Sequence, residues 1–201
     1  MRSVRALLSL LGLLFALTAC GAPEVWAPQE AVTQASYSHS GPTSVTLFTM
    51  INNRTGSGGH SALMINGSER ILFDPAGSWR HPTVPERNDV LYGITPQMLD
   101  FFVDYHARET YHVVLQELLV SPEIAQQLTL AVQAYGPVPQ AQCSLSLSRI
   151  LSATPGFEGL GQNMFPARTM AEFAEFPGVE TSRVYDDDAD NNRDVLDAQV
   201  N

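Results

Sequence analysis

Cys143 and His60 are the residues of this 201-residue chain whose types could together make and break an acyl bond. A thiolate attacks a carbonyl carbon, and a neighbouring imidazole stabilises the thiolate and later protonates the leaving group. A third polar group must fix the imidazole tautomer, and Asp74 is the candidate. The chain has two cysteines. Cys20 ends the stretch Leu17-Thr18-Ala19-Cys20, which reads as a lipid-attachment signal, so Cys143 is left as an unpaired thiol in an exported protein. That compartment tends to oxidise or pair thiols, and an unpaired one there needs a reason.

The site needs an acid, a base and a helix end in the right places. His60 opens an apolar run, HSALMI (60–65), joined through Asn66-Gly67-Ser68-Glu69 to a second run, RILFD (70–74). Asn-Gly between two such runs is a hairpin signal. A three-residue loop at 66–68 pairs Ile65 with Glu69 and sets His60 directly opposite Asp74; a two-residue loop turns Asp74 away. Cys143 sits where a new helix opens after Gly136-Pro137-Val138-Pro139. A helix N-terminus lowers a thiol pKa through its unpaired N–H groups and dipole, and the Cys143 backbone N–H is a candidate oxyanion donor.

Plainer readings stand beside these. Cys143 heads a stripe with Leu147, Ile150 and Leu151 and could be a small buried core residue. His60 could be a hydrogen-bonded strand-edge histidine, and Asp74, before Pro75, a turn former. His81, His106 and His112 have no partner pattern. A zinc site from His60, Asp74 and His81 lacks metal-ligand spacing, so no metal and no cofactor is expected.

The remaining elements follow from local signals. A strand is expected at Val45–Ile51 and another at Tyr111–Val120. Thr95-Pro96 and Ser121-Pro122-Glu123 each read as a helix start, with cap, proline and, in the second, an acid near the positive end of the dipole. Thr169 to Glu172 reads as a capping box for a short late helix, and Val184-Tyr185 as a last strand.

The ends of the chain concern location. Arg2 and Arg5 precede an almost wholly apolar run at 6–17, too short for a membrane span and suited to a signal of residues 1–19. The mature chain then starts at a lipidated Cys20, with a flexible tether over 20–43, one domain over 44–185 and an acidic disordered tail over 186–201. By resemblance to enterobacterial sorting rules, Gly21 in place of Asp favours the outer membrane, facing the periplasm. From Cys20 onward, nine arginines face 21 acidic residues, a balance of −12 that argues against nucleic acid or an anionic membrane as an attracted partner. The chain has no lysine, which excludes Schiff-base chemistry, a Ser–Lys dyad and a lysine-dependent phosphate loop. In the tail, Asp186, Asp188, Asp190, Asn192, Asp194 and Asp197 have the spacing of a calcium loop. Asn191 stands where its glycine belongs, and the twelfth position is Asp instead of Glu, so solvated disorder is the expectation.

A histidine-led strand, a hairpin to an acid, a long strand–helix segment and then a cysteine opening a helix resembles the circularly permuted branch of the NlpC-type papain-like superfamily. Lecithin–retinol acyltransferase-like proteins and several bacterial lipoproteins belong to that branch. GGHSALMI and RILFDPAG correspond to its histidine hairpin, and AYGPVPQAQCSLSLSRIL to its cysteine segment. Gln142 departs from the aromatic that often precedes the cysteine. The resemblance implies an α+β fold, a small antiparallel sheet packed against helices, with Cys143, His60 and Asp74 catalytic. It also implies thiol hydrolase or acyltransferase chemistry on an amide or ester. Peptidoglycan peptide amides are the first substrate class and a lipid or acyl ester the second. The alternative is a non-catalytic envelope lipoprotein that binds peptide, glycan or a protein partner. Nothing in the sequence fixes the oligomeric state.

Overall fold

A computed structural model describes residues 22–198. Cys20 and the 1–19 signal lie outside the described residues. The chain is α+β. Seven strands form one antiparallel sheet: β1 (Ser44–Asn52), β2 (Gly58–Asn66), β3 (Arg70–Phe73), β4 (Glu86–Arg87), β5 (Val90–Tyr92), β6 (Tyr111–Leu119) and β7 (Glu180–Val184). Their spatial order is β4-β5-β3-β2-β1-β6-β7. The described helices are α1 (Gln29–Ala35), α2 (Pro96–His106), α3 (Pro122–Tyr135), α4 (Cys143–Ser152), α5 (Pro166–Phe173) and α6 (Asn192–Ala198).

The sheet is larger than the expected small one, and apolar side chains cover both of its faces. Alternation along a strand sends successive side chains to opposite sides. Val45, Leu47, Leu63, Ile65, Ile71 and Phe73 pack with Leu128 and Val132 of α3 and Leu147 and Leu151 of α4. Phe48, Met50, Ala62, Met64 and Leu72 face the other way, toward Phe102 and Val103 of α2 and toward Trp79. This explains why β1 is buried along eight of its nine residues; a strand covered on both faces reads as a continuous apolar run.

Helices α2 and α3 begin where cap chemistry puts them. The Thr95 side chain accepts a hydrogen bond from the Met98 N–H, and the Ser121 side chain accepts one from the Ile124 N–H. On α3 the buried stripe is Ala125, Leu128, Thr129 and Val132, while Tyr135 is exposed. The late helix departs from its expected start. Its cap is Phe165 with Pro166 in the first turn, and Thr169 lies inside α5. Thr169 is fully buried, its hydroxyl 2.7 Å from that of Ser144 on α4. Packing across two helices has taken the hydroxyl that a capping box would use.

Both expected loose ends are seated on the domain. Val32 of α1 is buried, Trp26 bridges to Arg87, and the Arg70 N–H donates to the Tyr37 carbonyl. The tether expectation is corrected because buried Val32 and the backbone pairing of residues 25–27 with 86–88 hold a segment whose Ala/Pro/Gln/Ser composition obscured these anchors. In the tail, α6 buries Leu196 against the α2 side of the sheet. Arg108 bonds Asp188 at 2.8 Å and Asp104 at 3.1 Å, and Arg80 bonds Asp197 at 2.9 Å. One leucine and two arginine partners thus hold a segment expected to be disordered. No described helix is long and apolar enough to cross a membrane.

Candidate active site

His60 lies near the start of β2 and Asp74 just beyond β3, and their side chains meet. His60 Nε2 is 2.6 Å from Asp74 Oδ1, with 17% and 3% of the two side chains exposed. The hairpin register differs from the expected one. Ile65 pairs with Ile71 and Asn66 with Arg70, which makes the loop Gly67–Glu69 and sets both strands two residues out of the anticipated pairing. A shift of two preserves the face, whereas a shift of one would reverse it. Asp74 therefore reaches His60 diagonally instead of lying directly opposite it. Such diagonal neighbours remain within reach of long side chains.

The turn after β3 shapes this contact. The Asp74 N–H donates to the Asp89 carbonyl, and the Gly77 N–H donates to the Asp74 carbonyl. A Cβ on Gly77 would stand 1.9 Å from Asp74 Oδ2, so the carboxylate fills the space that a side chain there would occupy. Asp89, which sequence reasoning missed, ties the turn to the cysteine loop: its Oδ2 accepts from the Val138 N–H at 2.7 Å. Burial pushes the Asp89 carboxyl up to about 6, against the lowering effect of that hydrogen bond. Asn88 and Asp89, both with left-handed backbone, form the turn between β4 and β5, and the adjacent Asn-Asp pair is its only sequence signal.

Cys143 is the first residue of α4. The preceding Gln142 makes no side-chain cap bond, unlike Thr95 and Ser121 on α2 and α3. The first-turn N–H groups of α4 therefore remain unclaimed by a side-chain cap. Burial alone would raise the Cys143 pKa; hydrogen bonding and charge from His60, with the backbone N–H groups of Ser61 and Ser144, bring it below the ordinary thiol value. Burial would likewise lower His60, but the Asp74 charge and hydrogen bond, reinforced by Cys143, raise it to about 10. With Nε2 donating to Asp74, Nδ1 is the ring nitrogen left for the sulfur. The arrangement favours a thiolate–imidazolium pair. All three residues expected to act together are brought together.

A cavity of about 290 Å³ opens on the His60 side, lined among others by Met50, Ser78, Tyr105, His106, Tyr111 and Asn192. His106 stacks on His60 with ring centres 5.9 Å apart, and its Nδ1–H donates to the Phe102 carbonyl at 2.8 Å. That bond leaves Nε2 as an unprotonated acceptor in the cavity wall. Burial, aided by the neighbouring His60 charge and opposed by Asp74, takes His106 down to about 4. The i to i+4 spacing of Phe102 and His106 along α2 was the one signal that could have placed this histidine beside the core.

The metal alternatives are not assembled. The His81 ring pairs with Thr83 and stacks on Trp79, away from His60 and Asp74. The one described acidic cluster, Asp104, Asp186 and Asp188, is bonded through two of its members to Arg108. Among the other positions with calcium-loop spacing, Asp190 accepts from Thr110 and Asn192 donates to the Tyr105 carbonyl.

The two histidines give stability opposite pH slopes. Between 6.5 and about 10 the folded chain keeps a proton on His60 that the unfolded chain has lost. That contribution is complete below 6.5 and disappears as pH rises through about 10. Between 6.5 and about 4 the unfolded chain binds a proton that folded His106 refuses, so stability falls on acidification. In thermal melts from pH 4 to 10 the His60 contribution is expected to fall away above pH 6.5, and His106→Phe should change the acid limb alone, where Asp89, raised to about 6, works in the opposite sense. An unchanged acid limb in that variant refutes the assignment.

No protein-family model, curated protein or solved structure matches this chain.

Proposed function

We propose that the chain is a lipid-anchored envelope protein of the permuted NlpC-type papain-like kind, acting as a thiol hydrolase or acyltransferase on an amide or ester. The observation that carries this reading is His60 joined at 2.6 Å to a nearly buried Asp74, with a thiol at a helix N-terminus that His60 helps to hold below its ordinary pKa. The Cys143 thiolate attacks the acyl carbon, forming a C–S bond as the carbonyl electrons move to oxygen. Backbone N–H groups at the start of α4 receive that charge. Collapse expels the amine or alcohol, which takes the His60 proton. Water or another acceptor then attacks the thioester, returns a proton to His60 and frees the thiolate. Peptidoglycan peptide amides and membrane-held acyl compounds are the two substrate classes.

One observation favours a second reading, a binding lipoprotein without catalysis: Cys143 is only 6% exposed and lines neither cavity beside the site. Alkylation separates the two. At pH 6, iodoacetamide is expected to modify Cys143 in the folded chain at least about tenfold faster than a free thiol, because its thiolate is stabilised. Modification only after unfolding in urea selects the binding reading.

A further inference from the structure

The segment next to Cys20 is short once its packing is counted. Val25 and Asn88 exchange two hydrogen bonds, from the Val25 N–H to Asn88 Oδ1 and from the Asn88 N–H to the Val25 carbonyl. The Ala27 N–H donates to the Glu86 carbonyl, and Arg87 donates to the Ala27 carbonyl and the Gln29 side chain. Gly93, at φ +80°, admits the end of α1: a Cβ there would lie 2.5 Å from the Ala35 carbonyl oxygen. A flexible tether of about 24 residues would wander about 25–30 Å. The five residues from Cys20 to Val25 reach at most about 17 Å.

The surface where this segment emerges is apolar and aromatic. Val25 is 41% exposed and Trp26 60%, with the Arg87 guanidinium 4.7 Å from a Trp26 ring centre. Tryptophan and arginine suit the boundary between headgroups and acyl chains, where one part of the side chain is dry and another wet. Glu24 and Glu86 share this region, so it gains nothing from anionic lipid. Beside it lies a second cavity of about 410 Å³, whose wall includes Ala22 and Pro23, Ala76 and Gly77 of the Asp74 turn, and Val138 and Gln140 of the loop before Cys143. The two cavities share Ala76 and Gly77.

We infer that the face formed by Ala22–Trp26 and Arg87 rests on a zwitterionic bilayer surface and that the Cys143 site takes its amide or ester from a membrane-held acyl compound. The inference rests on the reading of Cys20 as lipidated and Cys143 as nucleophile. The lipid supplies affinity; the short exit and the Trp26 face set which side of the domain meets the membrane.

The chain has two tryptophans, and Trp79 is buried with an Nε1 that has no partner, so Trp79→Phe forfeits no hydrogen bond and leaves Trp26 as the reporter. The full lipidated chain and its Cys20→Ser counterpart, both Trp79→Phe, are compared with phosphatidylcholine vesicles carrying brominated acyl chains. Should Trp79→Phe not fold, the native pair serves, since buried Trp79 adds a constant background. Trp26 emission in the lipidated form is expected to be quenched at least about twofold by the brominated lipid and shielded from acrylamide. Equal acrylamide access in the two forms, with no lipid quenching, overturns the placement. Trp26→Ser should also slow turnover of a vesicle-held ester about fivefold while sparing a water-soluble ester. Equal rates on both esters, or turnover of a soluble peptide amide alone, overturn the substrate assignment. An N-terminal peptide without lipid by mass spectrometry removes the anchor and this inference together. Absence of turnover and of thiol alkylation in the wild type removes the catalytic reading and the substrate class, while the quenching result still decides the membrane face.

Discussion

Cys143→Ala is expected to abolish acyl transfer, by at least about 10³-fold in kcat, while leaving the melting temperature close to that of the wild type. The side chain loses one sulfur at a site 6% exposed, and the His60 ring keeps its Asp74 partner at 2.6 Å. No buried charge is stranded by this change, so the large cost of breaking a buried pair does not arise. His60→Ala should match the loss of turnover and differ in stability. It strands the Asp74 carboxylate, 4% exposed, without its cation, and breaking a buried pair by removing one partner costs about 3–5 kcal/mol. Asp74→Asn should retain more rate than either, since it orients the imidazole without meeting substrate. Turnover, alkylation of Cys143 and urea unfolding measured on the three variants separate these effects. Full activity in Cys143→Ala or Cys143→Ser ends the nucleophile assignment.

The second large effect belongs to a residue with no chemistry of its own. Gly77→Ala places a methyl carbon 1.9 Å from Asp74 Oδ2, and the Gly77 N–H is already committed to the Asp74 carbonyl. Either the carboxylate swings away from His60 or the turn opens. Overpacking of this kind costs about 1–3 kcal/mol, and loss of the ion pair adds to it. The variant should unfold at lower urea, lose the alkaline limb of its stability profile and turn over no faster than Asp74→Asn. Wild-type values for all three would show that the turn gives way without moving Asp74.

Much of this site was legible because its signals are local. His60 and Asp74 share a hairpin, and the parity of the pairing is enough to bring them to one face. The three-residue loop was expected one position too early, which moves the pairing by two residues, and an even shift cannot turn a side chain over. Thr95-Pro96 and Ser121-Pro122 were readable for the same reason, since a cap bonds within its own first turn. What escaped depends on distant partners. Thr169 had the right neighbours for a cap, but the Ser144 hydroxyl, 25 residues away, took its own. The segment around Trp26 looked like a tether until Arg87 and Asn88 were seen to hold it. The acidic tail looked solvated because Arg80 and Arg108 lie about 80 or more residues upstream, and charge repulsion in the sequence hides attraction in space. His106 and Asp89 belong to the same class, each meaningful only once α2 and the β3 turn approach.

The order of the pieces along the chain has a consequence for biosynthesis. The imidazole and carboxylate lie 14 residues apart in one hairpin, while Cys143 follows Asp74 by 69 residues. A chain emerging from the ribosome presents its N-terminal part first, and closing a short hairpin is fast compared with docking a distant helix. The acid and base are therefore synthesised well ahead of the sulfur, and their contact within the hairpin does not depend on α4. The thiol, once made, has the reactivity of any free cysteine until α4 settles against β2. On the proposed mechanism, the nucleophile is activated only once α4 has packed against β2.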